Sequence, residues 1–105
     1  MIATGITVRE VVEHLAFETA FSAEQIMGRG RSAYLCELRI ACLWCAREIT
    51  NLTLINLGRA FNRDHATVIG LLNRAAYLRE WDPELRALTD GVVRCLRDHI
   101  WEIAA

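Results

Sequence analysis

Apolar residues recur along this chain at spacings of three and four, the period of an amphipathic helix, and polar caps divide the pattern into about six helices. Thr7-Val8-Arg9-Glu10 is a capping box, in which the hydroxyl takes an orphan amide and Glu10 reaches back. It opens a helix with Val8, Val11, Val12, Leu15 and Ala16 on one face. Ser22-Ala23-Glu24-Gln25 repeats the signal for a short helix that stops at Gly28. A basic loop, Gly28-Arg29-Gly30-Arg31-Ser32, leads to a long helix from Ala33 to Ile49, capped by Ser32. Its inward residues are Leu35, Leu38, Ala41, Cys42, Cys45 and Ile49, with Asn51 as the terminator.

The next two segments are short and closely joined. Thr53 caps a helix carrying Leu54, Leu57 and Phe61, and a tight connection at Asn62-Arg63 follows. Asp64 then caps a helix running towards Leu78, with Val68, Leu71, Leu72 and Ala75 facing inward. Two helices joined by a tight turn, the second opening with short polar side chains, form a helix-turn-helix over about residues 53–79. Asp82-Pro83 starts a last helix that extends to about Ile103, with Gly91 as its weak point. The pattern predicts one all-α domain over residues 1–105.

The 105 residues are 53% hydrophobic and 24% charged, too apolar for disorder. The longest apolar stretches are short and broken by charge, so no membrane span is expected. The N-terminal MIATGITVREVVEH lacks the basic flank and apolar run of a secretory signal, which points to the cytoplasm. A net charge of −1 argues against a nucleic-acid partner until its distribution is examined. Residues 29–79 carry eight Arg against Glu37, Glu48 and Asp64, a net of +5, between two acidic flanks. Every basic residue is Arg. The planar guanidinium fork suits phosphates and guanine edges, although a GC-rich genome also enriches Arg.

Cys42 and Cys45 form a C-x-x-C, and Cys95 precedes His99 by one helical turn, so these four make a candidate zinc set. Both pairs lie within apolar helical patterns, where reduced cysteine serves as a small hydrophobe, and no metal or other cofactor is expected. Disulfides are not expected in a cytosolic chain.

From Glu48 to Val68 the chain reads EITNLTLINLGRAFNRDHATV. This closely resembles the C-terminal DNA-binding domain, domain IV, of the bacterial replication initiator DnaA, whose signature runs approximately E-L-T-N-x-S-L-P-E-I-G-x-A-F-G-G-R-D-H-T-T-V. Upstream, Ile26-Met27-Gly28-Arg29-Gly30-Arg31-Ser32 is similar to the family's basic loop, and Ala46-Arg47-Glu48 to the end of its long helix. The match is dense from about 22 to 79. The resemblance implies a Trp repressor-like helical fold and double-stranded DNA as the partner, read as DnaA-box-like sites.

It also implies roles for particular residues. Asp64 stands where the family's carboxylate accepts from a cytosine amino group in the major groove, and it is also an N-cap. His65, Ala66 and Thr67 match base-contacting positions, Ala66 keeping a methyl but not the hydroxyl of the family's Thr. Arg31 falls where the family inserts an Arg into the minor groove, whose narrow A·T tracts attract guanidinium. Ser32, Arg39, Arg47, Thr53, Leu54, Arg63 and Arg74 fall at or near positions suited to phosphates, which set register without reading sequence.

The departures are specific. The family has two residues, commonly Gly-Gly, between its Phe and RDH, and this chain has only Asn62, which is expected to shift or rotate the second helix. Pro-Glu becomes Ile55-Asn56, and a basic position becomes Asn73. With no Lys, the G-x-x-x-x-G-K-[ST] loop of the family's separate ATPase domain cannot exist here, and a stand-alone, non-enzymatic DNA reader is expected. It would act in regulation of replication initiation or transcription. The alternative is a protein–protein interaction module that keeps the fold, suggested by the apolar content, the acidic flanks and Trp44, Trp81 and Trp101. A homodimer through the final helix is compatible with either.

Overall fold

Each helix start is set by a polar side chain that takes an amide three residues on. In a computed structural model, which describes the backbone of residues 5–104 and side chains through residue 98, six helices follow one another among the described residues. They are α1 (Val8–Glu18), α2 (Ala23–Met27), α3 (Ala33–Ile49), α4 (Leu54–Phe61), α5 (His65–Trp81) and α6 (Pro83–Ala104). Thr7 and Ser22 make the two capping boxes the sequence predicts, with Glu10 and Gln25 reaching back to the cap amides. Ser32, Thr53 and Asp64 accept from the amides of Leu35, Asn56 and Thr67. Asp82 takes the amides of both Glu84 and Leu85, so α6 begins at Pro83, as expected.

The helix ends depart slightly from the sequence reading. α3 ends at Ile49, as expected, but with Thr50 rather than Asn51 as its cap; the Thr50 hydroxyl donates to the Ala46 carbonyl at 2.6 Å. α5 continues to Trp81, three residues past Leu78. α6 passes through Gly91 without a break.

α3 is the central element and packs against each of the other five helices. That position explains why its burial exceeds one face: Ile40, Leu43 and Ala46 are buried beside the expected Leu35, Leu38, Ala41, Cys42, Cys45 and Ile49. Val11, Val12 and Leu15 of α1, Leu57 of α4, Val68 of α5, and Val92, Val93 and Leu96 of α6 close the core around it. Burial of this kind stabilises by about 25 cal/mol per Å² of apolar surface removed from water.

Cys42 and Cys45 belong to this core, both fully buried. Burial, reinforced by Cys45, pushes the Cys42 thiol far above its ordinary range. Cys45 is pushed up to about 12, again chiefly by burial, with nearby Arg79 acting in the opposite direction. Cys45 Sγ lies 3.7 Å from the carbonyl of Thr89, which it faces as a weak donor. Cys95 is exposed on α6, and the His99 side chain lies outside the described residues, as does that of Trp101. Among the described residues no group of three His, Cys, Asp or Glu side chains is arranged to hold a metal ion. No helix there is long and apolar enough to cross a membrane.

Two polar clasps hold the helices in place. Arg79, near the end of α5, donates from both terminal nitrogens to Asp90 of α6 at 2.8 and 3.0 Å, and lies 3.8 Å over the ring of Trp44 in α3. Arg39, midway along α3, is taken up by the α2–α3 segment described below.

Candidate nucleic-acid interface

The turn between α4 and α5 determines where α5 points. α4 ends in a Schellman arrangement: the Asn62 amide donates to the Arg59 carbonyl at 3.2 Å and the Arg63 amide to the Gly58 carbonyl at 2.7 Å. Asn62 is left-handed, with φ 56° and ψ 50°, a conformation Asn tolerates better than other residues with a side chain. One Asn thus supplies the reversal in three linking residues, Asn62 to Asp64. Gly58 is buried against this turn, and a Cβ there would fall inside the Arg63 carbonyl oxygen.

Past the turn, α5 divides into two sides. Val68 and Ala75 are buried and Leu71 and Leu72 partly so, as the 3.6-residue period requires. Every residue from Asn62 to Thr67 is exposed. Ala66, Thr67, Gly70 and Arg74 continue that outward side at helical spacing, all exposed. Asp64 Oδ1 accepts from the Thr67 amide at 2.8 Å, and the residue is exposed. Its carboxyl is held below the ordinary 3.8, first by the Thr67 hydroxyl, then by the Thr67 amide. It is a carboxylate at neutral pH and can accept but not donate.

The basic loop lies beside this turn. Arg29, Gly30, Arg31 and Ser32 are all exposed. A cleft of about 100 Å³ separates the loop from the turn, with Gly28, Arg29 and Arg39 on one side and Phe61, Asn62 and Arg63 on the other. The structure therefore brings the start of the loop, Gly28 and Arg29, to the turn at Asn62 and Arg63; of the predicted site residues, Arg39 and Arg63 line this cleft. Arg31 has no ion-pair partner among the described residues.

The remaining predicted residues are engaged to different degrees. Arg47 is exposed and reaches the Leu52 carbonyl at 3.3 Å, beside the start of α4. Thr53 caps α4 by accepting from the Asn56 amide at 3.1 Å, and the amides before it, beginning with Leu54, have no intrahelical partner. Arg63 folds back onto the carbonyls of Phe61 and Asn62 at 3.4 and 3.0 Å. Arg39 is only partly exposed and donates to the carbonyls of Gln25, Ile26 and Gly30. Arg79, counted in the basic stretch, is neutralised by Asp90 and does not belong to this surface.

Arg29 and Asn62 join the surface although the sequence reading assigned neither a contact; the alternation Gly-Arg-Gly-Arg was the available signal for Arg29. Arg59 is also exposed, on α4, with Asn56 Oδ1 3.5 Å away.

Comparison with known proteins agrees with this geometry. The bacterial DnaA protein helix-turn-helix family matches residues 8–74, a span that includes the loop, the turn and most of α5. The chromosomal replication initiator protein DnaA of Caulobacter sp. (strain K31) is 28% identical over 93 residues, 88% of this chain. The match covers 19% of that relative's length, so this chain corresponds to about a fifth of it. A helix-turn-helix built on Gly58 and Asn62, with the basic loop beside it and the family match running through both, makes this chain a member of the bacterial DnaA helix-turn-helix family.

Proposed function

We propose that this chain binds double-stranded DNA through α5 and the 28–32 loop, at sites similar to DnaA boxes, and takes part in regulating replication initiation or transcription. The observation that carries the proposal is the exposed run from Asn62 to Thr67, whose first two residues share a cleft with Gly28 and Arg29 of a loop with two exposed arginines. α5 supplies an ionised acceptor, a hydroxyl and methyl groups to the major groove: Asp64 for cytosine, Thr67 and Ala66 for thymine methyls, with His65 beside them. Arg31 enters the adjacent minor groove. Ser32, Arg47, Arg63, Arg74 and the amides at Thr53 and Leu54 contact phosphates and set the register. No ATP chemistry is assigned to these 105 residues; DNA reading needs none.

The test is a fluorescence-anisotropy titration of a DnaA-box duplex and a shuffled control at two salt concentrations. Tighter binding to the box, with a steep salt dependence, supports the reading. Equal, strongly salt-dependent binding to both leaves a DNA binder with a relaxed or different target. No binding to either at low salt overturns the proposal.

One observation supports a second reading, a protein partner or a second copy of the chain. Tyr77 and Trp81 lie on the far half of α5 with ring centroids 6.2 Å apart, and Trp81 is 71% exposed. Aromatic side chains so exposed are enriched at protein interfaces. Failure to bind duplex together with self-association or partner binding at this pair would favour it.

A further inference from the structure

Arg39 is buried enough, and occupied enough, to need an explanation other than a contact with DNA. Its Nε donates to the Ile26 carbonyl at 2.7 Å, one terminal nitrogen to the Gln25 carbonyl at 3.1 Å, and the other to the carbonyl of Gly30. The first two acceptors belong to the last turn of α2, where the Gln25 carbonyl also takes the Gly28 amide at 3.3 Å. The third belongs to the loop residue immediately before Arg31. No carboxylate pairs with Arg39 among the described residues, so its positive charge still contributes to the surface.

We propose that Arg39 is a positioning residue for Arg31: its guanidinium laces the end of α2 and the Gly30 carbonyl to α3, and so presents Arg31 to the minor groove in a fixed pose. The inference rests on the DNA reading above and changes the role expected for Arg39 from phosphate contact to loop clasp. A segment with glycines at 28 and 30 samples many conformations when free, and binding would have to order it. Here Arg31 is held on both sides. Gly30 is tied by Arg39, and Ser32 is fixed as the α3 cap, its hydroxyl accepting from the Leu35 amide at 3.1 Å. Only the Arg31 side chain is left free, which lowers the ordering cost of binding.

The clasp also requires Arg in particular. Three carbonyls in different directions are met by the planar fork with its five N–H donors; an ammonium is a point charge on a flexible stem and cannot span them. A phosphate contact, by contrast, tolerates Lys. Arg39→Lys therefore separates the two roles, and Arg39→Ala provides a second variant.

The first measurement needs no DNA: the rate of tryptic cleavage after Arg29 and Arg31 in the native protein. Arg39→Lys and Arg39→Ala are expected to raise it about tenfold with helix content by circular dichroism unchanged, since the open fraction of the loop governs the rate. The second measurement scans each A·T pair of the DnaA-box duplex as G·C and as inosine·C. Inosine·C keeps an A·T-like minor groove, and G·C adds the guanine amino group. The wild type should prefer A·T and inosine·C to G·C at one flank. Arg39→Lys should bring that ratio close to one, leave the Asp64-dependent cytosine preference intact, and bind no more weakly in an Arg31→Ala background.

Unchanged cleavage in both variants overturns the clasp. So does a retained minor-groove ratio in Arg39→Lys, or an equal affinity loss for Arg39→Ala in wild-type and Arg31→Ala backgrounds. If the wild type itself shows no duplex binding, the DNA reading fails, and the cleavage rates still decide whether Arg39 orders the loop.

Discussion

The amide of Arg63 donates 2.7 Å to the carbonyl of Gly58, and this backbone-to-backbone approach sets the angle between α4 and α5. A side chain at 58 would have to occupy the place of the Arg63 carbonyl, which is backbone and cannot swing aside. Gly58→Ala is expected to cost about 1–3 kcal/mol in urea unfolding, the usual scale of overpacking. Because the turn itself must shift, box binding should fall by more than the lost stability explains. Gly70→Ala is the control: a Cβ there meets nothing, so helix propensity alone should raise stability by about 0.5–1 kcal/mol.

Asp64 has two roles that a conservative change pulls apart. Asp64→Asn keeps a good N-cap and replaces an acceptor-only carboxylate with an amide that also donates. Asp64→Ala removes both. Asparagine should leave the melting temperature nearly unchanged while preference for cytosine at one base pair drops roughly 5- to 150-fold. Alanine should lose that preference and also lower the melting temperature by about 4–8 °C, the usual result of losing a cap in a domain of this size. An equal loss on every sequence would contradict base reading.

The same cap imposes a pH dependence with a definite sign. The folded-state carboxyl of Asp64 titrates below its ordinary 3.8, so the folded state favours the ionised form. The stabilisation is fully present above that value and is lost as pH falls through the folded pKa. The difference in melting temperature between wild type and Asp64→Ala should be flat from about pH 5 to 8 and shrink below pH 4. A difference that grew towards low pH would refute the hydrogen-bonded cap.

Arg47 is exposed at the end of α3 and reaches the Leu52 carbonyl, close to the start of α4, and is proposed to contact a phosphate. Arg47→Ala should weaken binding to all duplexes alike and reduce the slope of log K against log salt by about one. An unchanged slope would remove Arg47 from the phosphate contacts. This behaviour is the opposite of that expected for Asp64, and the pair of measurements separates positioning from reading.

The caps were legible in the sequence because each acts over three residues: Thr7, Ser22, Ser32, Thr53 and Asp64 all start helices where their spacing says. The exposure of residues 64–67 was legible for the same reason, since they are the cap and first turn of a capped helix. What escaped is long-range. Nothing in the local pattern tells that Arg39 reaches carbonyls 9 to 14 residues back, or that Arg79 is spent on Asp90. The burial of Ile40, Leu43 and Ala46 escaped too, since a helix surrounded on all sides has no polar face to reveal its orientation. The left-handed conformation by which Asn62 makes the turn was not legible, because it is recognised only from φ and ψ.

Cys42 and Cys45 carry a motif with no chemistry visible on the surface. Thiol reactivity requires thiolate and access, and burial denies both: Cys42 is raised far above neutral pH and Cys45 to about 12. Cys36 and Cys95 are exposed. Alkylation of the native protein near pH 8 should therefore modify two thiols quickly and the other two only at the rate of unfolding. Rapid modification of all four would mean that the α3 core opens far more readily than its packing suggests.

Arg79 is the last point at which α5 is tied down, and it joins three helices at once. Its side chain is only 17% exposed, stacked on Trp44 of α3, and bonded to Asp90 and the Thr89 hydroxyl of α6. Removing it leaves Asp90 half-exposed and unpaired and uncovers one face of the indole. Arg79→Met keeps the apolar stem and loses the charge, so it should cost about 1–3 kcal/mol through the hydrogen bonds and the ring contact. Trp44 should move to a wetter environment, and Trp fluorescence should shift to the red in the folded state. Arg79→Lys should recover little, because a point charge cannot bond Asp90 through two nitrogens while lying flat on a ring. Box selectivity should stay near wild type in both variants while they remain folded, since Arg79 lies on the side of α5 that faces α3 and α6. Loss of selectivity at full folding would place Arg79 among the DNA contacts and reassign the charge that Asp90 neutralises.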